Sequence, residues 1–192
     1  MRIGIFGGTF NPPHVGHLIV AEAVREHLGM DKVVFVPSYI NPQKQESEVA
    51  SGDHRLEMLR LATDGNPGFV VSDAEIRRGG VSFTVDTLAE FHRTYPVADL
   101  YFLVGIDNLP AFNTWRDPER ILSLARVAVM TRPGFSAVES PLMKDERVTL
   151  CVVPDIGISS TDIRERVRTG RSIRYLVPSP VEEFIKSEGI YR

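Results

Sequence analysis

At 192 residues, with 43% hydrophobic and 24% charged side chains, the chain has the size and composition of one folded domain, 1–192, and not of a disordered polymer. Its net charge of −3 gives no electrostatic reason to expect nucleic acid or a membrane surface as a partner, and it leaves a homo-oligomer open. The single cysteine, Cys151, excludes an internal disulfide and a thiolate zinc site.

The chain opens on an apolar β-type run at 2–6, followed at once by turn residues rather than by a leader-like segment. A helix is expected near 16–28, where Val20, Val24 and Leu28 share one face and Gly29 follows as the C′ residue. The next strand, 32–36, is apolar at nearly every position, which suits burial on both faces of a parallel sheet. A long loop, 37–52, leads to a helix at about 53–62 with Asp53 as its expected N-cap. Strand 69–72 comes next, then a helix that places Leu88, Phe91 and Tyr95 on one face and stops before Pro96. Strand 100–104 precedes Asp117-Pro118, an N-cap with proline at the first helical position. Strand 126–130 and a second long loop, 133–146, lead to strand 148–153, in which Cys151 reads as a small buried hydrophobe. A helix opens at Ser159 and ends near Gly170. The last helix starts at Ser179-Pro180-Val181-Glu182, read as a capping box, and ends at Gly189.

Alternating strands and helices predict an α/β fold: a single Rossmann-like doubly wound parallel sheet with helices on both faces. No apolar run approaches the about 20 residues needed to span a bilayer, and the expected compartment is the cytoplasm.

The chemistry concentrates at two helix starts. Gly7-Gly8-Thr9-Phe10-Asn11-Pro12-Pro13-His14-Val15-Gly16-His17 joins the first strand to the first helix. In open α/β sheets ligands bind beyond the carboxyl ends of the strands, and a helix N-terminus attracts phosphate through its free N–H groups. Gly7 and Gly8 let the backbone approach a ligand, and Gly16 keeps the space beside the histidines clear. A single histidine here would read as an ordinary helix-start residue. His14 and His17, three apart in a glycine-rich turn, face the same side and can donate to one phosphoryl group as charge builds. The loop is neither a Walker A sequence nor a dinucleotide fingerprint. The second element, Ser159-Ser160-Thr161-Asp162-Ile163-Arg164, puts three hydroxyls at a helix start and an arginine one turn on. It can cap a helix or wrap a polyphosphate. Asp107, just beyond strand 100–104, stands where a ligand contact is expected.

The first element resembles the His-x-Gly-His signature of the nucleotidyltransferase α/β-phosphodiesterase superfamily. The second resembles that superfamily's Ser/Thr-rich signature with arginine, which implies binding of the β- and γ-phosphates. Further stretches are similar to bacterial nicotinate mononucleotide adenylyltransferases over nearly the whole chain. They are His54-Arg55-x-x-Met58, Ser82–Thr87, Leu103–Asp107, Trp115-Arg116, Arg132-Pro133-Gly134 and Tyr175–Pro178. The loop after the second strand departs from the family's Pro-Pro-His-Lys: it reads Asn41-Pro42-Gln43-Lys44, keeping the lysine. Phe83 stands where the family often has tyrosine.

The resemblance implies transfer of AMP from ATP to nicotinate mononucleotide by direct in-line attack, with Mg²⁺ arriving on ATP and no dedicated metal ligands. It implies His14, His17, Lys44 and Arg164 as catalytic residues. Gly7, Gly8, Thr9, Phe10, His17, Ser159, Ser160, Thr161 and Arg164 would contact ATP. Asn11, Lys44, Thr84, Asp107, Trp115 and Arg132 would contact the mononucleotide, with Trp115 offering a face for the cationic ring. The loop 37–52 is expected to close over the substrates and deliver Lys44 to a phosphate. Other acceptors, nicotinamide mononucleotide or phosphopantetheine, remain open at this stage. So does a non-catalytic nucleotide-binding regulator, against which the intact histidine pair argues.

Overall fold

The computed structural model describes residues 1–42, 49–132 and 140–192. Its centre is a sheet of six parallel strands: β1 (Arg2–Gly8), β2 (Lys32–Pro37), β3 (Phe69–Val71), β4 (Asp99–Gly105), β5 (Arg126–Met130) and β6 (Val148–Cys151). Their order is β3-β2-β1-β4-β5-β6. All six expected strands are present within a few residues of the bounds read from their apolar runs. The order reverses between β1 and β4, which are neighbours in parallel register with Ile3 opposite Leu100. That switch point opens a crevice at the carboxyl ends of the strands.

Strand parity explains why the runs lack alternation. Ile3, Ile5, Val34, Val36, Phe102, Val104, Val127 and Val129 point to one face. There they meet α3 (Ala74–Arg78), α4 (Thr84–Thr94) and α5 (Pro118–Leu124) through Ala74, Leu88, Phe91 and Ile121. Val33, Phe35, Leu103, Ala128 and Met130 point to the other face, against α1 (Val15–His27) and α2 (Gly52–Thr63) through Val24 and Leu59. Both faces are covered, so both parities are apolar; each fully buried side chain of this size contributes about 1.5–3 kcal/mol. A third cluster, built from Met58, Ile163, Ile173, Val181 and Ile185, joins α2 to α6 (Ser160–Arg168) and α7 (Ser179–Ser187). No described helix is long and apolar enough to cross a membrane.

Two caps differ from expectation. Ser51, not Asp53, caps α2, its hydroxyl accepting the His54 N–H. Asp53 instead sits in the first turn, where its charge favours the positive end of the helix. Pro178, not Ser179, caps α7, and no side-chain cap bond forms. The Pro178 carbonyl already accepts the Val181 and Glu182 N–H groups, so Ser179 lies inside the helix and the expected box cannot close. The remaining caps follow the sequence: Asp117 accepts the Arg120 N–H, and Gly29 and Gly189 take the left-handed conformation after their helices.

Cys151 is fully buried and free, and burial pushes its thiol up to about 11, where it is inert.

Candidate active site

The crevice is a cleft of about 480 Å³ lined from the ends of β1, β4 and β5 and the starts of α1 and α4. Gly7 and Gly8 form its floor; a side chain at Gly7 would project into open space, so the backbone itself is presented. Beyond them the chain turns through Phe10, in the left-handed region at φ 49°, and a cis Asn11–Pro12 peptide into α1.

His14 is the N-cap of α1 and only 8% exposed. Its ring stacks on that of His17 with centroids 3.6 Å apart. The His14 N–H donates to Nδ1 of His17 at 3.1 Å. That bond makes Nδ1 an acceptor, so His17 carries its proton on Nε2. Nδ1 of His14 is buried and has no hydrogen-bond partner among the described residues. A Cβ at Gly16 would lie 3.0 Å from that atom, which is why glycine stands there.

Burial, with the Arg132 guanidinium adding to it, lowers His14 to about 4. The imidazole is therefore neutral at neutral pH and acts as a hydrogen-bonding group, not as a fixed cation. The unfolded chain binds this proton near pH 6.5 and the folded chain only near 4. Stability conferred by a neutral His14 is thus complete above pH 6.5 and lost as pH falls toward 4, by about 3 kcal/mol in all. Urea denaturation of the ligand-free protein across that window should show the slope, and His14→Gln should flatten it. An unchanged slope in the variant would place the effect elsewhere.

Arg132, at the end of β5, donates to the Asp107 carboxylate at 2.8 Å. Asn108 also reaches Asp107, at 3.3 Å. A Cβ at Gly105 would collide with that carboxylate, so β4 must end in glycine for Asp107 to fold back over it. Trp115 packs edge-on to Phe102 and tilted on Phe112, and it also lines the cleft. It is both a core aromatic and a wall residue, and its buried indole N–H has no partner among the described residues. Thr84 is the first residue of α4. Phe83 precedes it without a side-chain cap, and the N–H groups of Thr84 and Val85 carry no hydrogen bond among the described residues.

The Ser159–Arg164 element is docked on the turn before α1. Ser159 caps α6 through the Asp162 N–H. The Ser160 hydroxyl donates to the Pro12 carbonyl at 2.8 Å. Arg164 donates to the Asn11 carbonyl at 2.9 Å and to the Thr161 hydroxyl at 3.4 Å. None of Ser159, Ser160, Thr161 and Arg164 lines the cleft; Ile156 and Ile158, just before them, form part of its wall.

Three expected contacts are placed differently. Asn11 is 1% exposed and lies outside the wall; its side-chain oxygen accepts the Ala50 N–H and the Tyr191 hydroxyl. Phe10 is packed against Phe6, His17 and Phe35. Thr9 is buried, its hydroxyl accepting from Asn41 and its carbonyl from the fully buried Arg55. Lys44 and Gln43 lie outside the described residues, as do Pro133 and Gly134. Wall residues that sequence reasoning passed over include Glu75, Ser82, Asn108 and Arg116. Arg116 lies over the Phe83 ring at 4.8 Å and pairs with Asp86. Ser82 and Arg116 fell inside stretches already singled out, which was the available signal; Glu75 carried none.

A parallel sheet in this strand order, with a histidine pair opening α1 at its switch point and a Ser/Thr-Arg element docked beside it, defines a nucleotidyltransferase. The family model described as cytidylyltransferase-like matches residues 5–166. The chain is 46% identical to the "Probable nicotinate-nucleotide adenylyltransferase" of Moorella thermoacetica, over 100% of this chain and 92% of that one. It is equally similar to the protein of that name from Thermomicrobium roseum, again at 46% identity with 100% and 92% covered. The chain therefore belongs to the nicotinate-nucleotide adenylyltransferases of the cytidylyltransferase-like family. The fold also matches the nicotinic acid mononucleotide adenylyltransferase of Plasmodium falciparum complexed with NaAD. That match has a TM-score of 0.83 at 20% identity, over 99% of this chain and 97% of that one.

Proposed function

We infer that the chain transfers AMP from ATP to nicotinate mononucleotide, giving nicotinate adenine dinucleotide and pyrophosphate, as a cytoplasmic step of NAD biosynthesis. One observation supports this above the rest: a single cleft has a stacked histidine pair at one helix start and, at another, the Thr84 N–H without a partner among the described residues. The first suits a transferring phosphoryl group and the second an anionic ring substituent.

A phosphate oxygen of the mononucleotide attacks the α-phosphorus of ATP. A new P–O bond forms, the bond to the bridging oxygen breaks, and pyrophosphate leaves with that electron pair. The work of the protein is positioning and charge stabilisation. Gly7 and Gly8 let the nucleotide lie against β1, Thr9 and Phe10 shape the turn from beneath, and His14 and His17 donate to the α-phosphoryl oxygens. Ser159, Ser160, Thr161 and Arg164 hold the departing phosphates. Asp107, Arg132, Trp115 and Thr84 receive the mononucleotide; Asn11 acts indirectly, by fixing the turn. The loop 37–52 carries Lys44 to a phosphate. No three of His, Cys, Asp or Glu converge as a ligand set among the described residues. Mg²⁺ would arrive with ATP and would supply neutralisation of phosphate charge.

The test is pyrophosphate release from ATP and Mg²⁺ with nicotinate mononucleotide, nicotinamide mononucleotide and phosphopantetheine in turn. Release with the first is expected; release only with another would overturn the acceptor. Within this reading, Arg164→Ala should raise KM for ATP roughly 10- to 100-fold, the scale of a charged hydrogen bond, with KM for the mononucleotide nearly unchanged. Arg164→Lys should recover little, because lysine has no bidentate fork. If the mononucleotide KM rises instead, the element belongs to the other substrate.

A further inference from the structure

Glu75 is a buried acid that the reaction above does not use. It is 6% exposed, stands on α3, and forms part of the cleft wall beside Ser82, Phe83 and Thr84. Its carboxylate accepts the hydroxyl proton of Thr87, one turn into α4. The Thr87 oxygen accepts in turn from Arg78 at 2.8 Å, and the same guanidinium lies 3.8 Å from Glu75. The Ser82 hydroxyl lies near enough to help hold the Glu75 carboxyl down. The Ser82 hydroxyl oxygen accepts the Tyr39 N–H at 2.9 Å, and the Ser82 N–H donates to the Ile40 carbonyl at 2.9 Å. A parallel bridge between Ile40 and Val81 completes the seam. Glu75 thus ties α3 to the first turn of α4, and Ser82 beside it ties the turn before α4 to the segment after β2.

This arrangement resolves an electrostatic conflict. A bare carboxylate next to the ring subsite would repel an anionic substituent and accept gladly from an amide NH₂. Here the carboxylate is engaged by the Thr87 hydroxyl, with Arg78 alongside. Burial pushes Glu75 upward in pKa, while Thr87, Ser82 and Arg78 hold it down. What remains facing the ligand is the start of α4 at Thr84, whose backbone N–H has no partner among the described residues and whose helix is tied to α3 through Thr87.

We infer that Glu75 is a positioning residue that sets acceptor specificity: by engaging Thr87 it fixes the start of α4 against the ring carboxylate and withdraws itself as an acceptor for an amide. The inference rests on the reading that the acceptor is nicotinate mononucleotide with its ring at the start of α4.

Steady-state kinetics of Glu75→Gln, Thr87→Val and Thr87→Ser test it, with both mononucleotides and with ATP varied separately. Glu75→Gln and Thr87→Val should each raise KM for nicotinate mononucleotide roughly tenfold and shrink the acid-over-amide preference by a similar factor. KM for ATP should stay near its original value. Thr87→Ser restores the hydroxyl and should restore both parameters, which also keeps the test alive if Glu75→Gln folds poorly. A uniform fall in kcat with both acceptors, KM and preference unmoved, would show a purely structural role and overturn the inference. So would unchanged kinetics in all three variants of an enzyme whose wild type prefers the acid. A wild type inactive on nicotinate mononucleotide would overturn the acceptor assignment itself, and the inference with it.

Discussion

Nicotinate mononucleotide is expected to exceed its amide counterpart by roughly 10²–10⁴ in kcat/KM at saturating ATP. Stacking on Trp115 cannot produce this difference, because both pyridine rings are cationic and gain alike over an indole. Discrimination must arise at the exocyclic group. The start of α4 offers N–H donors at Thr84 and Val85 with no partner among the described residues, and the helix dipole adds partial positive charge there. A carboxylate only accepts, so both oxygens are satisfied. An amide must turn its NH₂ toward one donor, leaving two donors facing each other. Each such buried mismatch costs about 1–3 kcal/mol, and two of them span the stated range. Phe83, which lacks the hydroxyl often found at this place in the family, leaves the discrimination to the backbone. Equal efficiency for the two mononucleotides, or a preference for the amide, would remove the nicotinate assignment and leave adenylyl transfer standing.

His17→Ala should lower kcat by roughly 10²–10³ while changing KM little, the loss of a donor that acts mainly in the transition state, about 2.7–4 kcal/mol. The geometry makes this residue more than a nearby imidazole. The His14 N–H fixes Nδ1 as an acceptor, which leaves the Nε2 proton for the ligand. The ring is held between His14 and Phe10, with centroids 3.6 and 5.0 Å away, so little ordering is needed when charge develops. His17→Gln offers an N–H from a longer, looser chain and should recover part of the loss. A near-normal kcat in the alanine variant would take the role away from His17.

Much of this molecule is legible from its sequence because the signals are local. Six strands announce themselves as apolar runs, since a sheet covered on both faces removes the usual alternation. The histidine turn and the Ser/Thr-Arg element lie in short contiguous stretches, and the second is hydrogen-bonded onto the first. What escaped reading is either too short or too long in range. The five-residue α3 is too brief to show a helical period. The 3₁₀ segment Ile106–Thr114 follows a three-residue period that an α-helical pattern does not match. Glu75 sits in α3 among charged neighbours, and only its bond to Thr87, made by folding, marks it out. Asn11 shows the opposite error: it lies inside a ligand-binding motif, yet its side chain is spent on Ala50 and Tyr191.

The bonds from Ser160 to Pro12 and from Arg164 to Asn11 join residues 148 and 153 positions apart. In a ribosome-bound chain the histidine turn emerges well before α6, and all six strands precede that helix. A nascent chain can therefore complete its strands before the two elements are joined. Contacts of such sequence separation also slow the closing step of folding, because loop entropy must be spent before they form. A product clipped before α6 lacks both bonds to the histidine turn, which makes resistance to proteolysis there a marker of the finished pairing.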